Sequence, residues 1–166
     1  MNKTFLRGAR LIDGINKPVN NKVIVLEGER IVSVSSMAKA KVPGANDSVF
    51  ELNGKVVMPG MAAAHNHPAY NNVNSLGQID LEHPPTMLTL IAAKNAELLL
   101  HCGFTSAIGA GSGHYIDVVL RNAINSGLIA GPRIFACGRD VVTTGDSVDA
   151  HPKWWGRGLE SFAKTC

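Results

Sequence analysis

Between Val56 and Cys137, short apolar runs alternate with helical patterns, and this alternation restricts the fold more than any other feature of the chain. Val56-Val57-Met58-Pro59-Gly60-Met61-Ala62-Ala63-Ala64 opens the series as a buried strand that ends in His65-Asn66-His67. Thr86 to Cys102 follows as a helix, with Leu88, Ile91, Ala92, Leu98 and Leu99 on one broad apolar face. Thr86 is the expected N-cap after Pro84-Pro85, and Gly103 the expected stop. Phe104 to Ile108 reads as a second strand, and Ile116 to Asn125 as a second helix halted by Gly127. Ile134-Phe135-Ala136-Cys137 is the third strand. Strands that alternate with helices return to the same end of a sheet, so consecutive right-handed βαβ units in a parallel sheet are predicted.

The first third has a different rhythm. Phe5 to Leu11, Lys22 to Leu26, Ile31 to Val34 and Val49 to Leu52 are short strands separated by Asp13-Gly14, Glu27-Gly28-Glu29-Arg30, Pro43-Gly44 and Asn53-Gly54. Turns this close together predict a small antiparallel sheet that ends near Lys55. The expected division is therefore 1–57, a sandwich-like β segment, and 58–166, an α/β domain.

Composition narrows the function classes. With 45% apolar and 17% charged residues the chain can build a core. Its net charge of +3 comes from 16 basic and 13 acidic residues spread along the sequence, without a basic run or interleaved aromatics, which argues against nucleic acid as partner. Met1 to Arg10 lacks the apolar run of a secretion signal, and no apolar stretch is long enough to span a bilayer. Cys102, Cys137 and Cys166 have no metal-type spacing and leave an odd thiol if any two pair. A cytoplasmic, reduced protein is expected, with no membrane partner.

The chemistry is concentrated at His65-Asn66-His67. In a strand, side chains at i and i+2 share a face, so the two imidazoles can reach one point in space. Imidazole is the commonest nitrogen ligand of zinc, but a catalytic zinc needs about three protein ligands and an open position, so the pair is half a site.

Taken in order, the motifs resemble those of the metal-dependent amidohydrolase superfamily, in its imidazolonepropionase and prolidase-like branch. The matching residues are Arg10-Leu11-Ile12-Asp13-Gly14, Gly28-Glu29-Arg30-Ile31, Met58-Pro59-Gly60 before His65-Asn66-His67, Gly103-Phe104-Thr105, Gly131-Pro132-Arg133 and Gly138-Arg139. The resemblance implies an α/β fold: a small amino-terminal β-sandwich segment, then the first three strand–helix units of a (β/α)8 barrel. It implies His65 and His67 as metal ligands, one or two divalent ions with zinc foremost, and hydrolysis of amide, peptide-like or cyclic amide bonds by a metal-activated water. This sequence departs from the family pattern at Ala63, where an acidic residue is usual, in Ser106 to Gly111, which lacks an Arg-Asp pair, and at Thr143-Thr144-Gly145-Asp146, where a Thr-Gly-Gly-His-Gly turn is usual.

A complete barrel takes about 250 residues, more than the 166 here. In the family the bridging ligand, two further histidines and a proton-transferring Asp lie on later strands; Lys153 and Lys164 precede the expected fourth strand and do not take the bridging role. The expectation is an amino-terminal portion, incomplete as it stands. Two alternatives accompany it: a catalytically incomplete fragment or split-protein half completed by another chain or by homo-oligomerisation, and a small metal-binding module that adds His114 or His151 to the pair.

Other candidates carry weaker signals. Tyr70, His114 and His151 are candidate substrate contacts, and Asn71, Asn72 and His83 share the loop of Tyr70. Gly109-Ala110-Gly111-Ser112-Gly113 lacks the spacing of a phosphate loop and reads as a flexible connection. His101 suits a helix C-terminus. Asp140, Asp146 and Asp149 read as turn formers, and Trp154-Trp155 as core or a partner-facing patch.

Overall fold

The computed structural model describes residues 2–75, 78, 82–142 and 163–165. The chain forms two compact units, Met1–Pro59 and Gly60–Cys166. His151, Thr143 to Asp149, Lys153 and Trp154-Trp155 lie outside the described residues.

In the first unit, β1 (Lys3–Leu11), β2 (Val19–Glu27) and β3 (Arg30–Ser36) form an antiparallel meander whose second turn is the two-residue Gly28-Glu29 loop between Glu27 and Arg30. The expected all-antiparallel sheet is corrected at β4 (Ser48–Glu51) and β5 (Val56–Val57), which both run parallel to β1. Residues 37–47 carry the chain from β3 to the far side of β1, giving the order β3-β2-β1-β4. A strand delivered by such a crossover enters in the same direction as its neighbour. Phe5, Val23 and Val25 form the core of this unit, with Ala40 packed against them.

The long apolar run from Val56 is not one strand. Pro59-Gly60 breaks it, leaving β5 in the first unit and β6 (Met61–Asn66) in the second, because proline has no N–H to continue a ladder. The second unit continues with α1 (Pro85–His101), β7 (Phe104–Gly109), α2 (Ile116–Asn125) and β8 (Arg133–Phe135). The three strands pair in parallel in the order β6-β7-β8, as their alternation with helices requires. A separate two-stranded parallel sheet joins β9 (Asp140–Val142) to β10 (Ala163–Thr165), so Asp140 lies in a strand rather than a turn.

One face of the β6-β7-β8 sheet carries the core. Leu88, Ala92 and Ala96 of α1 meet Ile116 and Leu120 of α2, Ile134 of β8 and Ala69. Leu88, Ala92 and Ala96 stand four residues apart, one above another on a helix, and the two alanines bring α1 close to the strands. Leu98 falls off this stripe and is 59% exposed, which corrects its assignment to the buried face. Thr86 does not cap α1 either. Pro84 is the N-cap and Pro85 follows at the first helical position, where a missing N–H costs nothing. Gly103 and Gly127 end the two helices in left-handed conformations, φ +90° and +74°.

The opposite face is open. Ile108 is 50% and Phe135 62% exposed, and they are register partners on adjacent strands. β6, expected to be buried, is exposed or half-buried along its length because it borders this open face at the sheet edge.

Leu120 fixes α2 on the sheet. Leu120→Ala is expected to destabilise the second unit by about 2–5 kcal/mol, whereas Leu98→Ala, at an exposed position, changes stability by less than about 0.5 kcal/mol. Chemical denaturation followed by circular dichroism measures both.

Candidate metal centre

The two histidines converge. β6 carries one extra residue relative to β7: Ala63 pairs with Ala107 and Asn66 with Gly109, so three steps on one strand match two on the other. Paired residues of parallel strands share a face, and Ala107 and Gly109 are both buried. The bulge therefore turns Asn66 to the covered face and leaves His65 toward the open one, a common use of bulges at strand ends. His67 follows just past the strand. Their Nε2 atoms lie 3.0 Å apart, with the rings edge to face at a centroid separation of 4.9 Å.

A carbonyl assigns the tautomers. His67 Nδ1 is 3.0 Å from the carbonyl oxygen of Gly111, which can only accept, so the proton sits on Nδ1 and the neutral ring presents a lone pair at Nε2. His65 Nε2–H then donates to that lone pair. Two nitrogens on one tetrahedral zinc, with bonds of about 2.0–2.1 Å, stand roughly 3.3 Å apart. The imidazoles are thus within a few tenths of an ångström of the spacing of two ligands on one ion, and the residues fit the group. A backbone carbonyl on the far nitrogen is also the usual orienting partner of a ligating histidine.

His67 is held on its face as well. The ring of Tyr70 stacks on it with centroids 4.4 Å apart and planes within 2°. Asn95 of α1 anchors the intervening loop by donating from Nδ2 to the carbonyls of Pro68, at 2.9 Å, and Tyr70, at 3.2 Å. His67, Tyr70 and Asn95 also line a cleft of about 290 Å³ together with Leu98, Leu99 and Phe104.

The glycine-rich stretch after β7 is tied down at every step rather than being a flexible connection. Ala110 N–H donates to Asn66 O at 3.0 Å, and Ser112 N–H to Gly138 O at 2.8 Å. Gly111 lies between them at φ +130°, and a Cβ there would overlap the carboxylate of Asp140, so only glycine fits. His114 stands in the short turn Gly113–Tyr115 at φ 55°, and among the described residues no group of three His, Cys, Asp or Glu side chains gathers. His114 thus does not join His65 and His67 as a third ligand. His101 ends α1, exposed, with Nε2 3.8 Å from Glu97.

Sequence reading missed two supporting residues. Asn95 has no motif; only a polar residue beside the apolar stripe of α1 hints at it. Asp117 is completely buried in the first turn of α2, where its carboxylate accepts N–H bonds from Val118, Cys137 and Gly138. Burial raises the pKa of the Cys137 thiol, and the nearby carboxylates of Asp117 and Asp140 raise it further. A raised pKa leaves less thiolate at a given pH, so alkylation of Cys137, although the residue is exposed, is expected to be slower than that of an ordinary thiol. Asp140→Asn removes one of the opposing charges and is expected to speed iodoacetamide labelling of Cys137 by about two- to threefold near pH 8, as followed by mass spectrometry of the Cys137 peptide.

No family model and no curated protein matches the sequence. Solved structures do. The chain superposes on a Xaa-Pro dipeptidase with methionine bound in its active site at 28% identity and a TM-score of 0.78, covering 92% of this chain and 39% of that one. A prolidase complexed with N-methylphosphonate-L-proline gives 30% identity and a TM-score of 0.80 over 99% of this chain and 40% of the other. The ochratoxinase of A. niger shares the fold at 23% identity, TM-score 0.75, over 90% and 34% of the two chains. The chain thus spans about two fifths of the length of the proline-directed structures it matches. In its motif order, its β segment followed by parallel βαβ units, and these likenesses, the chain resembles the amino-terminal portion of amidohydrolase-superfamily proteins.

Proposed function

We propose that this chain contributes the first two metal ligands, His65 and His67, to the active site of a hydrolase that cleaves C–N bonds of peptide-like or other small amides. The observation that carries the reading is the 3.0 Å convergence of the two Nε2 atoms, with the tautomer of His67 set by Gly111. A divalent ion held there, zinc foremost, supplies Lewis acidity and a water that ionises near neutral pH. What the chain's own residues do is narrower. His67 offers a lone pair without first losing a proton, Gly111 and Tyr70 stop its ring from turning, and His65 moves its proton from Nε2 to Nδ1, by exchange with solvent, to present the second lone pair.

The proline-directed neighbours support a substrate with an amide bond to proline or a similar residue. Tyr70, His114 and His151 are the proposed substrate contacts. In this reading residues 1–57 belong to a sandwich and 58–166 to a (β/α)8 barrel. The remaining ligands, with the acid or base that moves the proton, come from further strands, carried on a longer form of the protein or on a complementing chain.

Equilibrium dialysis with zinc or cobalt tests the half-site. One ion per chain is expected, with affinity falling at least about tenfold in His65→Ala and in His67→Ala. Hydrolysis of Xaa-Pro dipeptides is expected only once the complementing strands are supplied. Unchanged metal binding in the double variant overturns the assignment.

A further inference from the structure

We infer that Asp117 is a positioning residue for His67: a buried carboxylate on α2 that sets the proton of an imidazole on another strand through the backbone. The inference rests on the reading of His65 and His67 as a metal half-site for its purpose, but its geometry stands apart from that reading.

The path is a series of backbone hydrogen bonds. Asp117 Oδ2 accepts the N–H groups of Cys137 at 2.9 Å and Gly138 at 3.0 Å, while Oδ1 accepts Val118 N–H at 2.8 Å. Gly138, fixed by its N–H, uses its carbonyl to accept Ser112 N–H at 2.8 Å. Ser112 is buried and directly follows Gly111, whose carbonyl takes the His67 Nδ1 proton. The loop after β8 thus holds the loop after β7, and that loop holds the histidine after β6. Asp117 pins the far end.

Its placement is specific. A carboxylate with no exposure to solvent is costly unless its oxygens are satisfied. Here three N–H donors and the amino-terminal turn of α2 meet that cost. A Cβ on Gly109 would come within 2.7 Å of Oδ2, so the end of β7 leaves room for the carboxylate. Two consecutive N–H groups, of Cys137 and Gly138, converge on a single oxygen, which fixes the peptide between them and so anchors Gly138, whose carbonyl, in the next peptide, then meets Ser112 N–H. Asn at 117 offers one acceptor oxygen and turns an NH2 toward a donor; Ala offers none.

The consequence for His67 is a choice of tautomer. With the Gly111 carbonyl in place, the Nδ1–H form gains a hydrogen bond and the Nε2–H form sets a lone pair against an oxygen. If Gly111 drifts, the ring reverts to the Nε2–H form that unconstrained neutral histidine prefers, and its Nε2 is blocked by a proton.

Long-range 1H–15N NMR of the histidine rings tests this directly. It is applied above about pH 8, where imidazoles are neutral, to the wild-type chain and to Asp117→Asn and Asp117→Ala, with His67→Gln to assign the signal. The wild type is expected to show His67 as Nδ1–H with an unprotonated Nε2. In the Asp117 variants the ratio of Nδ1–H to Nε2–H should fall at least about threefold, and zinc affinity at least about tenfold, with Asn milder than Ala. A folded Asp117 variant that keeps both the wild-type tautomer and the wild-type affinity overturns the inference, as does a wild-type His67 already in the Nε2–H form. If the tautomer shifts but neither the wild type nor the variants bind zinc, the half-site reading fails and the positioning role stands. If Asp117→Ala unfolds, Asp117→Asn carries the test. Unfolding of both makes Asp117 purely structural and also overturns the inference.

Discussion

The parallel pairing of β6, β7 and β8 is the constraint from which the site follows. Parallel strands joined by helices all end at the same rim, so loops distant in sequence become neighbours in space. His67 comes from the first of these loops, Gly111 and Ser112 from the second and Gly138 from the third. In a meander, successive strand ends alternate between the two rims, and no such row of loops forms. The helices contribute from behind: α1 sends Asn95 to the loop of Tyr70, and α2 sends Asp117 to the loop of Gly138. Residues that never face a substrate thus decide where the imidazoles point.

The same architecture explains the unequal faces of the sheet. Both crossovers lie on one side, so Ala107 and Ile134 are buried there beneath α1 and α2, while Ile108 and Phe135 on the other side remain half-exposed or more. Each such side chain forgoes about half of the roughly 1.5–3 kcal/mol that full burial supplies.

Much of this was legible in the sequence, and what was not has a physical cause. Period and punctuation placed β7, both helices and the parallel order, because each rests on local spacing that the βαβ rule extends to topology. The direction of β4 was not legible, since antiparallel and crossover connections to a short apolar strand look alike in a single sequence. The break at Pro59-Gly60 was visible as residues, but the apolar run on both sides masked its meaning. Thr86 lost the cap position to the prolines before it. Within the site, the i, i+2 spacing found His65 and His67 although the bulge alters the strand between them. It did not find Gly111, whose contribution is a carbonyl, or Asp117, whose contribution passes through three peptide groups. Backbone partners leave no mark on side-chain pattern.

Two imidazoles at 3.0 Å form an anchor rather than a finished centre. Their value lies in preorganisation. A ligand that must rotate, choose a tautomer and shed a proton on binding loses affinity at each step, and His67 is spared all three by Gly111 and Tyr70. His65 already points at the same spot, but its Nε2 proton is engaged by His67, so in the proposed reading it must change tautomer before it ligates. In that reading the half-site is therefore asymmetric: His67 is held in advance through the loops after β7 and β8, and His65 changes tautomer to ligate. The hydrogen bonds that hold His67 reach back to α2 and the loop after β8, so in the proposed reading the orientation of a ligand on the first strand depends on residues around the third.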